Sequence, residues 1–220
     1  MKILLERPDL LIIDKPADLP TIPDRFGSPS VHGELQALRG EKLWVVHRLD
    51  REVTGILLFA RHAAAHRALS MAFEHHLVQK TSEAWTSGAP PTEPTGEFTW
   101  EDLLMRGKKR AYVHPAGKQA LTFARWEGPA PVADQLMPSL GDLGRWTLQP
   151  KTGRNHQLRV QLALRGWPIA GDSLYGSAVV WPLPGIALRA VRLEIPQGVL
   201  GQALTVEAAG LVGGLVDGLA

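Results

Sequence analysis

Side chains able to bind or move charge crowd the segment His47-Arg48-Leu49-Asp50-Arg51-Glu52-Val53-Thr54-Gly55. The Asp50 carboxylate stands between the guanidiniums of Arg48 and Arg51, with an imidazole upstream and the Thr54 hydroxyl downstream. Such a carboxylate is either half of an ordinary surface ion pair, worth ~0–1 kcal/mol, or a reacting group beside cations. A second charged stretch, Thr152-Gly153-Arg154-Asn155-His156-Gln157-Leu158-Arg159-Val160-Gln161-Leu162, repeats the mixture and leads into Gly166-Trp167-Pro168-Ile169-Ala170-Gly171-Asp172-Ser173-Leu174-Tyr175-Gly176. The two stretches together are far more specific than either one. On residue types alone, His47, Asp50 and His156 also allow a metal-dependent hydrolase, but they form no compact ligand motif.

These groups need rigid supports, and the flanking sequence supplies them. Trp44-Val45-Val46 is a short β-prone run, and Gly55 to Ala60 is continuously apolar, as in a buried strand. Asp50 therefore belongs to a loop set against a strand. Farther on, Arg145 to Gln149 reads as a strand delivering the chain to Thr152, and Asn155 can cap a helix from His156 to Arg165 that Gly166 ends. In that helix His156 and Arg159 share one face, while Leu158 and Leu162 share another.

The remaining elements frame the two stretches. Ile3 to Leu5 and Leu10 to Ile13 read as strands separated by Arg7-Pro8-Asp9, and a short helix fits between Pro29 and Gly40. Arg61 to His76 carries an apolar stripe of Ala65, Leu69 and Phe73, one face of a helix, with His75-His76 as its solvated end. Gly88 to Met105 is interrupted by Pro90, Pro91 and Pro94 and reads as a connection leading to further strands. No internal repeat or low-complexity tract is present.

Composition sets outer bounds. The chain has 220 residues, enough for one large domain or a bilobed one with a substantial core. It has no cysteine, which removes disulfides and thiolate metal sites. No apolar run reaches the ~20 residues that a membrane-spanning helix needs, so no membrane association is expected, and the cytoplasm is the simplest address. With 24 Lys and Arg against 22 Asp and Glu, the formal net charge is only +2, so any nucleic-acid surface must come from local clustering. Arg106-Gly107-Lys108-Lys109-Arg110 is such a cluster, and a solvated turn explains it as well as a phosphate contact does.

In the two charged stretches the chain resembles the RluA-type family of RNA pseudouridine synthases, whose pattern joins an HRLD loop to a TGR-x-HQ-[LI]-RVH segment and a G-x-PI-x-GD-x-LYG segment. Ile12-Ile13-Asp14-Lys15-Pro16 is similar to the family's NKP element, and Gly117-Lys118-Gln119-Ala120-Leu121-Thr122 to its GK-x-A-x-T element. The matching elements occur in the expected order over residues 3 to 195.

The resemblance implies an α+β fold with a mixed, mostly antiparallel sheet, flanking helices and a central RNA-binding cleft. It implies one catalytic domain over 1–220, without a separate RNA-binding domain before it, while the glycine-rich run 210–220 reads by composition as a loosely packed tail. The implied reaction isomerises a uridine in structured RNA, ribosomal or transfer. The N1–C1′ bond breaks, the uracil turns, and C5 joins C1′. Neither a metal nor a redox cofactor is required, and a monomer is expected.

Asp50 corresponds to the catalytic carboxylate, and Arg159 to the arginine that supports it through a two-pronged contact. Arg48 corresponds to the residue that fills the space left by the turned-out base, an extrusion costing a few kcal/mol. Thr54, Arg154, Lys108, Lys109 and Arg110 complete the expected RNA-binding set. His47 and His156 are expected to orient neighbours, and Tyr175 to pack behind the pocket.

Two departures stand out. Val53-Thr54 replaces the family's usual Thr-Ser pair, and Ser82 stands where a tyrosine stacks on the uracil in the K-x-Y-x-A strand, here Lys80-Thr81-Ser82-Glu83-Ala84. The stack at issue is worth ~1–3 kcal/mol. Another ring such as Trp85 can take its place, although strand alternation puts Trp85 on the opposite face. If nothing replaces the ring, the chain reads instead as a non-catalytic RNA-binding or RNA-folding protein.

Overall fold

The computed structural model describes residues 1–92, 96–130 and 142–211. In chain order its elements are β1 (Lys2–Glu6), β2 (Leu10–Lys15), α1 (Val31–Arg39), β3 (Trp44–Val45), β4 (Thr54–Ala60), α2 (Ala63–Glu74) and β5 (Gln79–Thr86). There follow β6 (Glu97–Arg106), β7 (Ala111–Val113), β8 (Lys118–Pro129), β9 (Gly144–Pro150) and α3 (Gln157–Leu164). A 3-10 turn (Ser173–Tyr175), β10 (Leu188–Ile195), α4 (Gln197–Leu200) and β11 (Leu204–Glu207) complete the chain. The architecture is α+β, and the chain divides into two compact units, Met1–Lys80 with Ala190–Ala208, and Thr81–Arg189 with Ala209–Ala220.

In the first unit β2 pairs antiparallel with β1 on one side and with β4 on the other, in a register running from Leu10↔Ala60 to Lys15↔Gly55. Alternation along these strands builds two cores. Leu10, Ile12, Ile56 and Leu58 join Ala65, Leu69 and Ala72 of α2, while Leu11, Ile13, Leu57 and Phe59 join Val31 and Leu35 of α1. Both faces of β4 are thus covered by apolar groups, which is why its sequence is apolar without interruption. Gly55 is needed at the start of β4: its φ is +105°, and a Cβ there would lie 2.2 Å from the Ala190 carbonyl oxygen.

The second unit carries the antiparallel order β5-β9-β8-β6-β7. A cluster of Phe98, Trp100, Trp146 and Trp167 lies between its strands and the end of α3, with neighbouring ring centroids 4.7 to 6.3 Å apart. From α3, Gln161 accepts a hydrogen bond from the Thr122 hydroxyl of β8 at 2.6 Å, and Arg165 at its end binds Asp102 of β6 at 3.0 Å. These polar contacts fix the turn of the helix against the sheet, so the face that Arg159 takes is set.

Several boundaries differ from the sequence expectation for local reasons. Pro29 does not open the first helix, because Ser30 is the cap and its hydroxyl accepts the Gly33 N–H at 3.1 Å. The second helix is shorter than 61–76, since the His62 ring caps its start and His76 has φ 56°. Asn155 does not cap α3; His156 holds that position in a left-handed conformation with φ 51° and makes no side-chain cap. The prolines end at 94, and β6 begins at Glu97, so the expected 88–105 connection contains a long strand. Most of the 210–220 tail lies outside the described residues. No helix among the described residues is long and apolar enough to cross a membrane.

Candidate active site

The HRLD loop is held through its main chain. A turn closes it where the Val53 N–H meets the Asp50 carbonyl at 3.2 Å. The Thr21 hydroxyl donates to the Leu49 carbonyl at 2.9 Å and accepts the Leu49 N–H at 3.1 Å. On the other side of Asp50, the buried Lys15 ammonium donates to the Arg51 carbonyl at 3.0 Å and to the carbonyls of Pro16 and Leu19, each at 2.7 Å. Three acceptors match the three N–H groups of an ammonium. Burial, offset in part by Glu52, Asp18 and Asp50, lowers the Lys15 pKa to about 8, so the cation persists at neutral pH.

Asp50 therefore sits between two residues whose backbone is tied to neighbouring structure, and its side chain is half-buried. Arg48 and Arg51 are exposed, and the Arg51 Nε donates to the Asp18 carbonyl at 3.1 Å. Thr54 opens β4 and is half-buried. The His47 Nε2 accepts the Leu58 N–H at 3.0 Å, and its ring stacks on Phe73 at 4.8 Å. Burial, and secondarily the Lys80 ammonium, pushes its pKa down to about 3. A neutral ring with its lone pair committed to the backbone is an orienting group, neither a base nor a metal ligand.

The second stretch is held through side chains. Gln157 is its hub, with Oε1 accepting from the Thr152 hydroxyl at 2.7 Å and the Arg154 N–H at 3.0 Å. Its Nε2 donates to the Leu121 carbonyl at 3.0 Å and the Thr122 hydroxyl at 2.9 Å. The loop is thereby locked to β8, and the Arg154 Nε reaches the Gln119 carbonyl at 2.8 Å.

Arg159 and Asp172 form a bidentate pair, Nε to Oδ2 at 2.7 Å and Nη2 to Oδ1 at 2.8 Å, with side chains only 2% and 1% exposed. The Arg159 guanidinium also lies 5.3 Å from the Tyr175 ring centroid. The Tyr175 hydroxyl accepts the Ala111 N–H at 2.9 Å and sits 2.9 Å from His156 Nδ1. Tyr175 is thus a brace between β7, the start of α3 and the guanidinium, and it offsets part of the ~1–2 kcal/mol that a left-handed His156 costs.

This brace also joins the basic turn to the same end of the second unit. Lys108, Lys109 and Arg110 are exposed on the turn from β6 to β7, next to the Ala111 that Tyr175 binds. The Arg110 Nη1 donates to the Leu174 carbonyl at 3.3 Å. Arg154, Arg159 and the basic turn are thereby linked through β7, β8 and the 3-10 turn. A groove of about 620 Å³ in the same unit, lined in part by Glu97, Phe123, Arg125 and Gln149, includes none of the expected site residues.

Four residues without an expected role hold the two charged stretches in place, Lys15 and Thr21 in the first unit and Gln157 and Asp172 in the second. Three of them lie inside quoted motifs, so the signal was present, whereas Thr21 left none. Trp85 requires a correction. It is fully buried, packs edge-on against Trp181 at 5.7 Å, and donates from Nε1 to Glu83 at 2.8 Å. It cannot substitute for a ring at Ser82, which is 8% exposed and pairs across to Leu148.

The sequence pattern of the family described as RNA pseudouridylate synthase matches residues 9–164. An uncharacterized RNA pseudouridine synthase of Zymomonas mobilis is 37% identical over 88% of this chain and 87% of its own length. A ribosomal large subunit pseudouridine synthase C of Rickettsia felis is 32% identical over 94% of this chain and 66% of its own length. Among solved structures, human RNA Pseudouridylate Synthase Domain Containing 1 shares the fold with a TM-score of 0.76 at 22% identity, over 94% of this chain and 82% of that one.

Proposed function

Because the chain belongs to the RNA pseudouridylate synthase family, we propose that Asp50 is the carboxylate that acts at the sugar of the target nucleotide. The protein is an enzyme that isomerises uridine to pseudouridine in RNA. In that reaction the N1–C1′ bond breaks, C5 bonds to C1′, the hydrogen on C5 leaves as a proton, and N1 gains one. No atoms are gained or lost overall. The carboxylate either attacks C1′ or removes the proton at C2′, and both roles need it ionised at a fixed position.

The observation that carries the assignment is the two-sided anchoring of the Asp50 turn. Thr21 holds Leu49, and Lys15 holds Arg51, so the backbone is fixed on both sides of Asp50. A group held this way loses little freedom on reaching the geometry of attack.

Arg159 is assigned the task of keeping that carboxylate ionised. A guanidinium carries five N–H donors in a fixed plane, and the bidentate pair with Asp172 sets the orientation of that plane. Arg48 is assigned to the space vacated by the extruded base, where a planar cation can stack or bind phosphate. Arg154, Lys108, Lys109 and Arg110 are assigned to the RNA backbone, and Thr54 to the backbone conformation of the loop. For the finer points we propose ribosomal or transfer RNA as substrate, one catalytic domain over 1–220, and a monomer acting in the cytoplasm.

Release of tritium from RNA labelled at C5 of uridine tests the reading, because only replacement of the C5 hydrogen frees the label. Purified protein and total cellular RNA should give time-dependent release, and Asp50→Asn should give none. Release by the Asp50→Asn protein at the wild-type rate would remove Asp50 from its role.

A further inference from the structure

The loop between β2 and α1 carries an aromatic ring that neither core uses. Phe26 is 78% exposed, and the Arg25 guanidinium lies against its ring, 4.7 Å from the centroid. Single exposed apolar residues are ordinary. Leu38 and Val180 are as exposed, yet they are aliphatic and offer no π face. Phe26 differs in being held out by a loop built for it.

The tip of that loop is organised by Asp24. Its Oδ1 accepts the N–H groups of Phe26 at 2.8 Å and Ser28 at 3.2 Å, its Oδ2 accepts the Ser28 hydroxyl at 2.9 Å, and its carbonyl accepts the Gly27 N–H at 3.1 Å. Pro20, Pro23 and Pro29 restrict the rest of the segment. At the far end, the carbonyls of Pro20 and Thr21 accept the N–H groups of Val31 and His32 at the start of α1.

The base of the loop is the same structure that anchors Asp50. Asp18, Leu19 and Thr21 reach the catalytic turn through the Arg51 Nε, the Lys15 ammonium and the two Leu49 bonds. Phe26 follows Thr21 by five positions, and a chain of that length spans at most ~18 Å even when fully extended. At roughly 3.4 Å per base along a stacked strand, that reach corresponds to a few nucleotides. The ring therefore lies within that span of Thr21, the residue that anchors the Asp50 turn through Leu49.

We propose that Phe26, backed by Arg25, is a stacking platform for an unpaired base flanking the target uridine. The inference rests on the RNA-modifying reading above and adds a contact to it. Stacking explains why an aromatic ring is exposed on an ordered loop, and Arg25 gives it both a cation against one face and a charge for the adjacent phosphate. The recognition is tolerant of sequence, since every base has a π face, and it favours single-stranded loops over duplex.

Equilibrium binding of a fluorescein-labelled RNA hairpin with a uridine-containing loop, read over a series of salt concentrations, tests this. Phe26→Ala should weaken binding about 5- to 150-fold, the range for removing one base–aromatic stack, with the slope of log K against log salt unchanged. Phe26→Trp should bind as well as wild type, and Phe26→Leu should behave like Phe26→Ala. Arg25→Ala should reduce the magnitude of the slope by about 0.7 to 0.9, as for one phosphate contact. Because the ring is exposed, these variants should fold as wild type does by circular dichroism. An affinity for Phe26→Ala within twofold of wild type, or a leucine that rescues fully, overturns the platform. Binding is read without turnover, so failure of the tritium assay would remove the isomerase reading while these affinities still decide the contact.

Discussion

The two loops that carry the charged motifs are fixed in opposite ways. Around Asp50 the tethers run to the main chain, from Thr21 to Leu49 and from Lys15 to Arg51, and the two arginines of the loop are exposed. Around Arg159 the tethers run between side chains, from Gln157 to Thr152 and from Asp172 and Tyr175 to the guanidinium itself. The first design fixes where a residue stands through the backbone on either side of it. The second fixes a side chain directly, at the cost of burying two charges. Substitutions in the two regions should therefore fail differently, the first in rate and the second in stability as well.

The sharpest separation comes from Asp50→Asn. Turnover should fall below detection in the tritium assay while the urea unfolding midpoint stays close to wild type, because the amide keeps the shape of the carboxylate and the Thr21 and Lys15 anchors on the neighbouring backbone remain. A large loss of stability instead would mean that the carboxylate is part of the scaffold.

Arg159→Ala should break the other region in both respects. It leaves Asp172 buried without its cation, a loss of about 3–5 kcal/mol, and activity should fall even when the protein is assayed well below its unfolding midpoint. Arg159→Lys should restore part of the stability and little of the activity, since an ammonium cannot make the bidentate pair. Replacing both partners, Arg159→Met with Asp172→Leu, should be more stable than Arg159→Ala and still inactive. An active double variant would show that the pair is only structural.

Ser82→Tyr tests the position in β5 where the family pattern carries a ring and this chain does not. Trp85 is committed to the core, so a tyrosine at 82 is expected to add a base stack and raise kcat/KM, by up to the ~1–3 kcal/mol of such a contact. This reverses the outcome that a stand-in ring at 85 would have produced, namely overpacking and a lower rate. A drop in kcat/KM with unchanged stability would mean that another group already occupies the space.

Lys15 gives the backbone-tethered region a pH signature. Its pKa is lowered from 10.5 to about 8 in the folded state. Between these values the unfolded chain holds a proton that the folded chain has released, so stability rises with pH in this window. Relative to Lys15→Met, wild-type protein should therefore gain stability in urea titrations as pH climbs from about 8 towards 10.5. A difference that is flat across that range would place the Lys15 pKa near its ordinary value.

The smallest effect is expected from neutralising Lys108, Lys109 and Arg110 together. Stability should not change, and the salt dependence of RNA binding should flatten by up to about 0.7–0.9 in slope for each phosphate that the cluster neutralises in wild type. Equal slopes for the variant and wild type would make the cluster a solvated turn.

The charged loop before β4, the long apolar strand and the family pattern could all be read from the chain, because each is a local arrangement of residue types. Element ends were less legible where a side chain from elsewhere decided them. His156 takes a left-handed conformation beside Tyr175, and no rule based on Asn155 as a cap could supply that. The role of Lys15 was hidden for a similar reason, since its three acceptors are carbonyls, which every residue carries.

The sequence by itself determined which residues carry chemistry and which strands support them, since strand alternation and turn residues are properties of neighbouring positions. Only the tertiary structure decided who holds whom. Arg159 meets Asp172 and Tyr175 because α3 and the 3-10 turn pack at one end of the same unit. Trp85 is withdrawn from any pocket because it fills the core beside Trp181, and Lys15 is aimed at the Asp50 turn because β2 pairs with β4 in one register. A buried charge or ring takes the partner that packing puts within reach, and that choice depends on contacts far apart in the chain, which no local pattern encodes.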